Sequence, residues 1–134
     1  MAITRLSHAC QWLAKAVRDL RSARLLTAGD DPLYDIALFH CQQAGEKAIK
    51  GYLFLRKIRF QKTHDLRELV NLDPDLSSLV SEARLLTPFA LRTRYPAYGQ
   101  EPGPAEYAAG FAAAERVYRF VLAKHPELEP EKRT

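Results

Sequence analysis

The sequence predicts an all-α protein, an antiparallel up-and-down helical bundle of four long helices and one short one. Alanine and aliphatic residues are abundant, glycine is scarce at 6 of 134 positions, and runs of β-branched residues are absent. Apolar residues recur at spacings of three and four, the period of an amphipathic helix. One stretch of any length, Tyr95 to Pro104, forbids regular structure with its three prolines and two glycines. The length suits a single domain, expected over residues 1–126, with a flexible tail over 127–134.

The first helix is expected from Thr4 to Thr27. Ile3, Leu6, Cys10, Leu13, Val17 and Leu20 form its apolar stripe, and Arg5, Lys15, Arg18, Arg21 and Arg24 its exposed basic face. Gly29 follows where a helix stop is favoured. Asp31 and Pro32 have the types expected at an N-cap and first turn, so a second helix is predicted from there to Lys57. Thr63 or Asp65 caps a short third helix, in which Asp65 and Glu68 have capping-box spacing. Asp73-Pro74 ends it. A fourth helix is expected from Leu76 to Arg94, kinked at Pro88, and a fifth from Pro104 to His125.

The second helix carries the most informative stretch, Phe39 to Lys50. His40, Gln43, Lys47 and Lys50 form a polar stripe with Glu46 beside it, and Ile36 and Phe54 interrupt it with apolar side chains. A helix apolar nearly all round is a buried one, and polar groups on it need partners. Two readings follow. One is a helix or subunit interface with an internal Glu46–Lys50 pair. The other is a pocket for a nucleotide or nucleic acid lined by Gln43, Lys47 and Lys50. Phe39, Tyr52 and Phe54 fall outside the stripe that one bundle buries, which leads to the expectation of a homodimer.

The net charge of +4 is compatible with a phosphate-bearing partner. Arg56 to His64 holds four positive charges and no acid. Cys10 and Cys41 fall on apolar faces and read as buried thiols of a reducing compartment. No metal-ligand spacing occurs, so no metal site or cofactor is expected. Nothing resembles a signal peptide or membrane span, and a cytoplasmic protein with no membrane contact is expected.

Taken together, Trp12-Leu13 with Ala16 and Asp19-Leu20, the stretch FHCQQAGEKAIKGYL, and Thr63-His64-Asp65-Leu66 followed by Thr93-Arg94-Tyr95-Pro96 resemble the HEPN domain family. The resemblance implies a module that binds a nucleotide or RNA and forms homodimers. It also implies a minimal nucleotidyltransferase as partner. Some members are ribonuclease toxins of toxin–antitoxin pairs and cut RNA without metal. They use an arginine and a histidine four to six residues apart, near the start of the last long helix.

This chain departs from that motif. Arg94 stands in the expected region, but Tyr95, Pro96, Ala97, Tyr98, Gly99 and Gln100 follow it and no histidine is near. Arg59 and His64 have the right separation in the wrong place, the loop after the second helix. The expected function is therefore a nucleotide- or RNA-binding interaction module, with Gln43, Lys47, Lys50, Arg94, Tyr95 and Tyr98 as candidate contacts. The alternative is a metal-independent endoribonuclease using Arg94 or the Arg59–His64 pair, where histidine moves a proton and arginine grips phosphate.

Overall fold

A computed structural model of the chain describes residues 4–92 and 101–130. In chain order these form α1 (Arg5–Thr27), α2 (Tyr34–Leu55), α3 (Leu66–Val70) and a 3-10 turn (Pro74–Leu79). Then come α4 (Val80–Leu86), α5 (Phe89–Arg92), α6 (Pro104–Lys124) and a last 3-10 turn (Pro126–Leu128). The chain is an all-α bundle with up-down-up-down order. Ala9 of α1 lies against Gly51 of α2, and Asp19 reaches His40, so these helices are antiparallel. Glu82 pairs with Arg116 and Phe89 lies near Gly110, so α4 and α5 run against α6.

The face that α1 buries is centred on Ala9, Leu13, Ala16, Leu20 and Ala23. That corrects the expected stripe: Leu6 is 40% exposed, and Cys10 and Val17 are only half-buried. Small side chains dominate because α2 crosses closely here. A Cβ on Gly51 would lie 2.5 Å from Leu13 Cδ2 and 2.9 Å from Trp12 Cβ. The basic face of α1 is exposed as expected.

Other boundaries shift for local reasons. Thr4 caps α1 by accepting from the Ser7 N–H at 3.0 Å. Asp31 does not cap α2, which starts at Tyr34 after Leu33. The Leu33 N–H donates instead to Leu26 O at 2.9 Å, which ties the connection back onto α1. Asp65 does cap α3, accepting from the Arg67 N–H. The expected fourth helix is divided into a 3-10 turn, α4 and α5. Thr87 closes α4 with both its N–H and its hydroxyl on Ala83 O, and Pro88, lacking an N–H, cannot continue the ladder.

Two expectations need correction. Leu128, within the 127–134 stretch expected as a flexible tail, is fully buried in the core. Tyr52 is also fully buried, and Phe54 lies beneath Arg5 and against His8. Those two aromatics are satisfied within one protomer and do not mark an exposed face.

Candidate nucleic-acid interface

The polar residues of α2 form two connected groups. In the first, Asp19 of α1 lies between two partners. Lys47 Nζ donates to its Oδ2 at 2.6 Å, and His40 Nδ1 lies 2.8 Å from its Oδ1. In the second, Glu46 is the centre. Lys50 Nζ and Gln42 Nε2 donate to it, each at 3.0 Å, and His64 Nδ1 lies 2.9 Å away. Gln42 also donates to His64 O at 2.9 Å and accepts from Gln43 Nε2 at 2.7 Å. The Lys50 ammonium lies 6.0 Å from the Trp12 ring centroid and 5.8 Å from that of Phe60. Among the described residues no buried side-chain nitrogen or oxygen lacks a partner.

Beside Asp19, the Cys41 thiol is pushed up to about 12 by burial and then by that carboxylate. Such a thiol stays protonated and unreactive. Cys10 is half-buried, with Sγ donating to Glu127 O at 3.4 Å.

The basic loop is aimed by the end of α2. Lys57 adopts a left-handed conformation with φ 61. Its N–H donates to Phe54 O, and the Ile58 N–H to Leu53 O, the two bonds of a Schellman ending. The chain then folds back until His64 meets Gln42 and Glu46. Arg56, Lys57, Arg59, Lys62 and His64 are all exposed, whereas Ile58 and Phe60 pack against the core. Between the loop and α3 opens a groove of about 530 Å³, lined by Arg59, Phe60, Gln61, Thr63, Glu68, Leu69 and Leu72. On the far side of the loop, Arg56 donates to the Tyr52 hydroxyl, which donates to Asp73 Oδ2 at 2.8 Å.

The candidate residues are thus distributed unevenly. Lys50 is 7% exposed and its ammonium faces Glu46, while Lys47 is 25% exposed and faces Asp19. Arg59 lines the groove, whereas His64, on the same loop, is tied to the α2 group. Arg94, Tyr95 and Tyr98 lie outside the described residues. Sequence reasoning passed over Gln42, and it named Asp19 and Glu68 without giving either a place in the site. Gln42 stands four residues before Glu46 on one helix face, and Asp19 is an acid in register with the buried Ala16, Leu20 and Ala23. Both signals were available.

A four-segment helical bundle with a charged core on its second helix and a basic return loop defines the class of protein. The HEPN domain family model matches residues 9–125, and the chain belongs to that family. The crystal structure of an archaeal HEPN homologue is similar, with a TM-score of 0.67 and 26% identity. The match covers 87% of this chain and 96% of that one. No curated protein matches the sequence. Family membership supports a nucleotide- or RNA-related module at the level of the family, whose members are often dimeric. Among the described residues no helix is long and apolar enough to cross a membrane.

Proposed function

We propose that this HEPN domain is a nucleotide- or RNA-binding interaction module, a homodimer that partners a nucleotidyltransferase. The observation that carries the reading is the loop from Arg56 to His64, which exposes Arg56, Lys57, Arg59, Lys62 and His64 with no acid among them. Cations held on a surface by a folded return loop are suited to phosphate, because neutralising phosphates releases their counterions. Lys47 at the α1–α2 seam and Gln43 next to it are assigned to the same role, with Arg94, Tyr95 and Tyr98 adding phosphate and stacking contacts. Lys50 acts from behind, by supporting Phe60.

The test is fluorescence anisotropy of single-stranded RNA over a salt series. Binding should weaken with salt, and Arg59→Ala or Lys62→Ala should each flatten the slope by about one unit. Binding that ignores salt, or is absent, overturns the reading. Light scattering should give about twice 15.2 kDa. Co-purification from the native host should retrieve a nucleotidyltransferase as the partner.

One observation favours a second reading, a metal-independent endoribonuclease. Glu46 Oε1 lies 2.9 Å from His64 Nδ1, and the His64 side chain is 55% exposed. A carboxylate behind an accessible imidazole orients it for proton transfer, and Arg59 stands on the same loop. RNA incubated without metal distinguishes the two. Cleavage lost in His64→Ala selects the enzyme, and binding without cleavage selects the module.

A further inference from the structure

We infer that the groove between the basic loop and α3 is a nucleobase pocket, in which Glu68 receives an amino-bearing base edge and Arg59 the phosphate. The inference rests on the nucleotide-binding reading above and adds where the base sits and which bases are preferred.

The key is a carboxylate released from its expected duty. Asp65 and Glu68 have capping-box spacing, in which the Glu68 side chain would accept from the Asp65 N–H. That N–H donates instead to Thr63 Oγ1 at 3.1 Å, while Asp65 itself accepts from the Arg67 backbone and guanidinium. Glu68 is therefore exposed on the groove wall without a hydrogen bond or ion pair from its carboxylate among the described residues. Arg59, on the loop side of the same groove, likewise has no acidic partner among them.

Between the acid and the cation the surface is apolar. Phe60 is half-buried, with the Trp12 ring edge-on at 6.4 Å and the Lys50 ammonium near its ring. Those contacts fix its orientation. Leu69 is buried beneath, and Leu72 is 42% exposed at the rim. An aromatic ring flanked by aliphatic side chains takes the face of any base. The two charges then set the direction of the ligand. A phosphate beside Glu68 is repelled, so it lies toward Arg59, and the base edge meets the carboxylate. A carboxylate only accepts hydrogen bonds, so it favours cytosine, adenine and guanine, which carry exocyclic amino groups, over uracil, whose one edge donor, N3–H, is flanked by two carbonyl oxygens that repel the carboxylate. The volume of about 530 Å³ is within the usual range of ligand sites.

The experiment is calorimetric titration of the full chain with CMP, AMP, GMP and UMP, and with short single-stranded oligocytidylate and oligouridylate. The amino-bearing nucleotides should bind roughly tenfold more tightly than UMP. Glu68→Gln should erase that preference, because an amide both donates and accepts. Leu72→Glu, at an exposed rim position, should abolish binding without unfolding, which circular dichroism checks. Preference seen with mononucleotides identifies a free nucleotide as ligand, and preference seen only with the oligomers identifies an RNA strand. Salt-sensitive binding with no base preference, or binding untouched by Leu72→Glu, overturns the pocket and leaves the broader function standing. Absence of all nucleotide and RNA binding overturns both.

Discussion

Lys50 and Glu46 form an ion pair almost shut off from water, 3.0 Å apart with side-chain exposures of 7% and 5%. Burying two charges is costly unless their remaining hydrogen-bonding capacity is met. Here Gln42 and His64 complete the carboxylate, and two aromatic rings face the ammonium.

The pair should respond asymmetrically to substitution. Glu46→Leu strands a buried ammonium and should destabilise by about 3–5 kcal/mol in urea unfolding. Lys50→Met leaves Glu46 with Gln42 and His64, so its cost should be smaller. Equal losses in the two variants would contradict the view that Glu46 is the hub.

Tyr52 predicts an alkaline limb. Burial, and then its hydrogen bond to Asp73, push the phenol from 10.0 to about 12. The folded state holds the proton more tightly, so this stabilisation is complete below pH 10 and is lost as the pH rises toward 12. Tyr52→Phe should lower stability at pH 7 by about 1–2 kcal/mol and make the decline above pH 10 shallower. Tyr107 and Tyr118, also raised by burial, preserve a remainder of the decline.

Lys57 holds a backbone conformation that glycine adopts more easily, at φ 61. Lys57→Gly should therefore stabilise the fold by up to about 1 kcal/mol, whereas Lys57→Ala should not. A thermal melt of the two variants decides it, and a destabilised Lys57→Gly protein would mean the lysine side chain itself matters.

Gly51→Ala should be among the most damaging small changes on α2. The added methyl would meet Leu13 Cδ2, Trp12 Cβ and, at 3.2 Å, the Ala9 carbonyl oxygen, and the last two cannot move without the helix. A loss of about 1–3 kcal/mol is expected. Gly110→Ala meets chiefly the tip of Leu38, which can rotate, and should cost less.

Much of the fold was legible because its signals are local. The Thr4 start, the Asp65 cap, the Asp73-Pro74 stop and the break at Pro88 all depend on residues within one turn of one another. The interior of α2 was legible only in part. A polar stripe with a Glu46–Lys50 pair could be read from spacing, but Gln42 was passed over for Gln43. Adjacent helical residues differ by about 100° in direction, and which of two amides turns inward depends on what packs there. Asp19 supplies Lys47 from another helix, and His64 reaches Glu46 by folding a loop back. Those partners are set by tertiary packing, which no periodicity encodes. The groove depended on a competition between Thr63 and Glu68 for the Asp65 N–H, which either acceptor could satisfy and which spacing alone does not decide.

Leu128 carries a consequence for the order in which the molecule can form. It is buried in the same core as α1, and Cys10 bonds to Glu127 across 117 residues of chain. During synthesis the α1–α2 hairpin can pair early, since its contacts are close in sequence. Its outer end stays uncovered until Leu128 emerges, because the turn that covers it follows Cys10 by 117 residues of chain. The bundle therefore closes by joining α1 to the turn Pro126–Leu128, and a ribosome stalled before Leu128 would hold a chain with α1 still partly open to water.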